Sequence, residues 1–515
     1  MLFNSYYFIF IFLPVTVTVF FLLGHKGKNQ WAMAWLILAS FIFYGWHHPM
    51  LIWLIGASIL FNFFWGIWVS RHSKVLLASG ITVNLGFLGY FKYSAFFSDN
   101  LFTLTNIRME LPEMMFPLAI SFFTFQQIAY LVDAYRGKIA EHHFLNYCLF
   151  VTFFPRLTQG PIVYHQELMP QFKQKEIFRW NPENIAVGIT LFFFGLFKKV
   201  FIADGLAAYA SPVYEAARYA YPLSCLEAWE GALAYTLQIY FDFSGYSDMA
   251  IGLAYLFGIR IPLNFNSPYK SLNMIDFWRR WHISLSRFLR DYLYVPMGGN
   301  RKGEGRRFVN LMITMLLGGL WHGAAWTFVI WGGLHGVFLI INHSWEKLKQ
   351  KLGWQGKSGP FARLLSVLTT FICVTVAWVF FRSDSASTAF HMIGCMAAKN
   401  GFSLPEKYLD KFGVAAQQLQ KWGVDFHEMK YFEGSNEVVH ILIALLIVWF
   451  APNVQQMMDR YVPYLNIMAK GERLSKPPFW FIWRPSFFWA IILVITTLTA
   501  TLLLSRASEF LYFKF

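Results

Sequence analysis

The chain has 515 residues, of which 57% are apolar, 20% aromatic and only 14% charged; soluble domains carry about a quarter charged residues, and apolar runs recur here from end to end, which excludes a soluble enzyme or binding module. The formal net charge is +15, from 43 basic and 28 acidic residues, and basic cytoplasmic loops of a membrane protein account for that excess without nucleic acid. Cys148, Cys225, Cys373 and Cys395 have no paired or ligand-type spacing, so neither a disulfide framework nor a metal site is expected.

The first apolar run, YYFIFIFLPVTVTVFFLLG, has no basic region ahead of it and no small-residue cleavage site, and it reads as a retained helix. Lys26 and Lys28 follow this run, Arg71 and Lys74 the third, and Arg136 and Lys138 the fifth, whereas the turn at WHHPM has no Lys or Arg. The positive-inside rule then puts the N-terminus outside and those three loops in the cytoplasm. Residues 144–160, FLNYCLFVTFFPRLTQG, are too short and broken to span, and Lys173, Lys175 and Arg179 follow them, so a re-entrant segment is expected. A helix from residue 184 leads out and one from residue 229 returns.

Residues 257–307 form a basic cytoplasmic segment. The apolar stretch 308–344 would reach about 55 Å as one helix, against about 30 Å of hydrocarbon. Two passes with a break near WHGAA solve this and put His322 near the apex. Three more spans are expected near 364–381, 437–452 and 486–504, with 382–435 as an external loop insert of balanced charge. The expected fold is an all-α polytopic integral membrane protein of roughly eleven to thirteen transmembrane or re-entrant helices, with residues 1–515 as a single membrane-embedded domain lacking internal repeats.

Polar groups at bilayer depth are costly unless paired, and each is a candidate for function. A lone imidazole is most often a hydrogen-bonded core residue. His322, however, lies among Gly318, Gly319 and Gly323, which permit a helix break or close backbone approach. Trp321 and Trp326 can exclude water, and a neutral imidazole in a dry pocket suits general-base chemistry. The stretch FWRRWHISLSRFLRDYLYVPMGGNR, residues 277–301, interleaves Arg279, Arg280, Arg287 and Arg290 with apolar residues, as in a helix at the cytoplasmic interface. It serves either to anchor lipid headgroups or to hold an anionic ligand such as the phosphates of coenzyme A. The stretch YTLQIYFDFSGYSDMAIG, residues 235–252, carries Gln238, Asp242, Ser244 and Asp248 in an apparent span. These groups could orient His322 or His282, coordinate a cation, or pair with Lys198 and Lys199; a purely structural buried ion-pair network is the remaining alternative. No nucleotide-binding loop and no Ser-His-Asp order is present.

The motifs YFDFSGYSDMAIG, FWRRWHISLSRFLRDYLYVPMGGNR and LLGGLWHGAAWTFVIWGGLHG, in this order, resemble the membrane-bound O-acyltransferase (MBOAT) superfamily, in its bacterial polysaccharide O-acetylation branch of alginate type. LGYFKYSAFF, FPLAISFFTFQQIAYLVDAYRG at 116–137, FFPRLTQGPI at 153–162 and the terminal FLYFKF extend the likeness over nearly the whole chain. In the alginate-type pattern the position of Arg156 is often His, so this chain departs there. The resemblance implies a bowl of helices with a central tunnel, an essential histidine at His322 and a second at His282. It implies cytoplasmic acetyl-CoA as acyl donor, no permanently bound cofactor and no metal. It also implies a polysaccharide acceptor outside the bacterial inner membrane, most directly alginate or a similar exopolysaccharide, reached through periplasmic acetyltransferase or carrier proteins. Residues and resemblance together assign general-base catalysis to His322. Support falls to His282, Asp242, Trp321, Asn264 and Asn266, and donor binding to the four arginines. Peptidoglycan is the alternative acceptor, acetylated cellulose is also open, and D-alanylation of teichoic acid is a more distant relative. The alternatives of another class are a transporter, which the lack of paired repeats disfavours, and a scaffold of a polysaccharide export complex, which predicts no penalty for losing His322.

Overall fold

A computed structural model of the chain describes residues 1–107, 117, 119–139, 143–354, 359–432, 434–462, 478–506 and 510–511. Phe116 and Leu118 of the 116–137 motif and the last four residues of FLYFKF lie outside these. The described chain is predominantly helical, with one short pair of strands. Seven of its helices are long and apolar enough to cross a membrane: Phe8–His25, Met50–Val69, Lys74–Thr105, Pro182–Arg218, Trp326–Lys351, Pro360–Arg382 and Phe487–Arg506. Ser435–Phe450 is a shorter apolar helix. The protein is therefore an all-α, multi-pass membrane protein, and side chains such as Phe487, 82% exposed, present themselves as lipid-facing groups do.

The chain divides into two compact units, each discontinuous in sequence. The first comprises residues 1–200, 244–264 and 454–514. Buried amides and hydroxyls bind its spans to one another, since groups inside a bilayer find no water. Asn62 on Met50–Val69 and Asn84 on Lys74–Leu88 exchange side-chain hydrogen bonds of 3.0 and 2.7 Å. Trp35 Nε1 donates to the Thr16 carbonyl at 3.0 Å, and Gln127 Nε2 to Ser58 Oγ at 2.8 Å. Glycines let Pro182–Phe197 touch the later half of helix Cys225–Leu256 through backbone: a Cβ at Gly195 would lie 2.5 Å from the Gly245 carbonyl oxygen, and one at Gly252 2.6 Å from that of Gly188. In the segment read as re-entrant, Phe144–Thr152 has nine residues and Phe154–Leu157 four, and most of their side chains are buried.

The second unit comprises residues 201–243 and 265–453. The apolar stretch from residue 308 is indeed two helices, Glu304–His322 and Trp326–Lys351, packed as an antiparallel hairpin. The short helices Met274–Arg280 and Ile283–Leu289, the π-helical turn Arg290–Tyr294 and the span Pro360–Arg382 belong to the same unit. The insert after Arg382 contains more order than its composition implied. It holds helix Ala386–Met396 and two parallel strands, Phe402–Pro405 and Val424–His427, with Phe402 opposite Val424. Helices Lys407–Phe412 and Val414–Lys421 form the crossover that a parallel pair requires.

Candidate active site

Glycine fixes the hairpin that carries His322. A Cβ at Gly319 would stand 2.2 Å from the Phe328 carbonyl oxygen, and one at Gly332 2.3 Å from that of Met315. The two helices therefore meet backbone to backbone, and no larger residue fits at either position. At Gly323 the chain leaves the first helix in extended form, φ −161°, and a Cβ there would lie 2.1 Å from the Phe328 ring. His322 is thus the last helical residue before a tight, glycine-lined turn.

Its imidazole is 4% exposed and walled by rings. Trp321 lies at 4.9 Å, Trp331 at 5.1 Å edge-on and Phe381 at 5.1 Å between ring centroids. The His282 ring is 6.4 Å away. His282 is fully buried, caps Ile283–Leu289 with a left-handed backbone at φ 43°, and stands edge-on to Phe243 at 4.8 Å. This segment lies outside the candidate spans. Burial lowers the His282 imidazole from 6.5 to about 3, so it is neutral at neutral pH. Two histidines from separate motifs are hence brought into one aromatic chamber.

Sequence reasoning did not single out His335. It is fully buried on Trp326–Lys351, with its ring 4.8 Å from Trp331, 5.2 Å from Trp278 and 5.9 Å from Phe277. Neither of its nitrogens has a hydrogen-bond partner among the described residues. Trp331 separates it from His322. The available signal was the second Gly-flanked histidine in GGLHG. The aromatic wall itself, Trp331, Trp378 and Phe381, could not be read from periodicity because it is assembled from two separate helices.

Of the other expected site residues, Asp242 is buried in the second unit, within electrostatic reach of the Tyr235 phenol. Asn266 is buried there too; its backbone N–H donates to the Arg280 carbonyl at 3.0 Å, and Asn453 Nδ2 donates to Ser267 Oγ beside it at 3.0 Å. Asn264 is buried in the first unit. Asp248 also belongs to the first unit, where it takes the third of its open roles: Lys198 Nζ sits 2.6 Å from its Oδ2, and Gln455 donates to its other oxygen. The π-helical turn Lys198–Ala203 carries that lysine.

The arginine platform is divided. Arg280 is paired with Asp276 at 2.7 Å, one turn back on its own helix, and Arg290 with Asp291 at 2.7 Å. Arg279 is exposed and Arg287 half-buried. Asn310 Nδ2 donates to the Gly299 carbonyl at 3.1 Å and ties the MGGNR turn down. Arg156 is fully buried, with its guanidinium carbon 4.7 Å from the Phe150 ring centroid and no hydrogen bond to its three nitrogens among the described residues.

The sequence profile of the membrane-bound O-acyltransferase family, MBOAT, matches residues 64–381, a range that contains both histidines and all four arginines. A protein of Helicobacter pylori named "Peptidoglycan O-acetyltransferase" is 43% identical over 435 residues, covering 78% of this chain and 81% of the relative. One of Pseudomonas aeruginosa named "Probable alginate O-acetylase AlgI" is 40% identical over 417 residues, 79% of this chain and 76% of the relative. A "Teichoic acid D-alanyltransferase" of Bacillus subtilis is 31% identical over 276 residues, 51% of this chain and 68% of the relative.

Proposed function

The chain belongs to the membrane-bound O-acyltransferase family and is an acyltransferase; from that premise we propose that it passes acetyl groups from cytoplasmic acetyl-CoA, through the bacterial inner membrane, for O-acetylation of an extracytoplasmic polysaccharide. The observation that carries this reading is His322 at a glycine-lined helix break, enclosed by Trp321, Trp331 and Phe381. Such a chamber keeps the imidazole dry and fixes its direction, which is what a general base requires.

His322 takes the proton of an attacking hydroxyl, whose oxygen bonds to the thioester carbonyl carbon. The carbon–sulfur bond then breaks, and His322 returns the proton to the leaving thiolate. The attacking hydroxyl belongs to a sugar or to a serine of a periplasmic acetyltransferase or carrier partner. His282 and Asp242 support the imidazole, and the arginine platform, Arg279 and Arg287 foremost, receives the donor's phosphates.

The acceptor of the first reading is an exopolysaccharide of alginate type. A second reading, peptidoglycan, is favoured by the 43% identity to the Helicobacter relative. The test is ester-linked acetate on secreted polysaccharide and on purified peptidoglycan from the native host, in wild type, a deletion and His322→Ala. Loss from one polymer in both mutants supports the transferase and names its glycan. Acetate kept in His322→Ala but lost in the deletion makes the chain a conduit or scaffold.

A further inference from the structure

Arg382 closes the span Pro360–Arg382, one residue after Phe381, whose ring walls His322. Its guanidinium carbon lies 5.5 Å from the Tyr214 ring centroid and 5.9 Å from that of Tyr235. The two tyrosine rings meet edge-to-face at 5.6 Å. Both phenols are buried, and neither hydroxyl has a hydrogen-bond partner among the described residues. Arg382 itself is half-buried, so its donors reach the surface. Asp384, the acid nearest in sequence, is bound to Arg218 at 2.8 Å.

A basic residue at a helix C-terminus gains from the macrodipole, but that alone does not explain two buried phenols under it. Cation–π contacts hold the guanidinium over the rings while leaving its N–H fork unused. Donors therefore exceed acceptors at this point, and a planar, two-oxygen anion is the ligand that balances them. The positive-inside reading puts this end of the span on the outer side, where an acceptor arrives.

We propose that Arg382, held by Tyr214 and Tyr235, binds a carboxylate of the acceptor glycan beside the His322 chamber. This rests on the acyltransferase reading above, with a sugar hydroxyl as the attacking group, and names the residue that recognises the carboxylate both candidate acceptors carry. The carboxylate could come from a uronic acid or from the stem peptide of peptidoglycan.

The experiment measures binding to the full-length chain in lipid nanodiscs, with no acetyl transfer involved. Three probes are used: an oligouronate, a peptidoglycan strand with stem peptides, and a neutral oligoglucan of equal length. Wild type should bind an acidic probe well above the neutral one. Arg382→Gln should weaken that binding about tenfold or more, the scale of a charged hydrogen bond. Arg382→Lys, which keeps the charge but loses the fork, should fall between, and Tyr235→Phe guards against a folding artefact because it removes only a hydroxyl. Whichever acidic probe loses affinity in Arg382→Gln names the source of the carboxylate. Equal binding of acidic and neutral probes by wild type, or undiminished acidic binding by Arg382→Gln, overturns the proposal. Acetylation in the host that does not depend on His322 would instead overturn the transferase reading, whatever the binding result.

Discussion

The rings of His282 and His322 lie 6.4 Å apart with their planes at 55°. Even with a nitrogen of each ring on the line between centroids, the two imidazoles stay too far apart for a direct hydrogen bond of roughly 3 Å. Trp321 packs against both, at 6.1 Å from His282 and 4.9 Å from His322.

Acid should destabilise the fold through His282. Its imidazole titrates at about 3 when folded and near 6.5 when exposed, so on acidification the unfolded chain takes up the proton first. The stability it contributes is complete above about pH 6.5 and lost as pH falls towards 3, at up to about 1.4 kcal/mol per unit. In His282→Asn, which tolerates the left-handed backbone, melting in detergent should depend less steeply on pH in that window. An unchanged slope would show that other groups govern acid lability.

Gly319→Ala should pry the hairpin apart, because the new methyl meets the Phe328 carbonyl oxygen at 2.2 Å. We expect a loss of about 1–3 kcal/mol, the usual range for overpacking, read as a lower melting temperature together with reduced transfer. Gly333→Ala is the control. Its nearest neighbour would be Leu316 Cδ2 at 3.5 Å, an ordinary contact, and melting should be unaffected.

Lys198→Ala should cost about 3–5 kcal/mol, since it leaves Asp248 a buried carboxylate without its cation. Replacing both partners, as Lys198→Met with Asp248→Leu, should recover most of that loss, which thermal melts in a double-mutant cycle would measure. A double mutant as unstable as Lys198→Ala would assign the pair a role beyond its own neutralisation.

The arginines should separate kinetically. Arg279→Ala or Arg287→Ala is expected to raise the KM for acetyl-CoA about tenfold, the loss of one charged hydrogen bond, with kcat nearly kept. Arg290→Ala, already paired with Asp291, should change KM by less than a factor of about three. Steady-state assays at varied donor concentration decide this, and equal effects at all positions would point to a diffuse field instead.

The sequence by itself determined the helical membrane fold and the break near WHGAA, and it singled out His322 as the candidate at that break. Each follows from local properties: apolar length against bilayer thickness, glycine freedom beside an imidazole, and a span too long to cross once. It left Asp248 with several open roles, and only the tertiary structure, by bringing Lys198 to 2.6 Å, selected one. His335, the wall of Trp331, Trp378 and Phe381, and the seat of Arg382 on Tyr214 and Tyr235 were likewise not legible. Aromatic residues are common throughout a chain that is 20% aromatic, so composition gives no hint of which rings meet. Which of them enclose a site depends on helix rotation and on contacts between separate helices, and those are settled by packing.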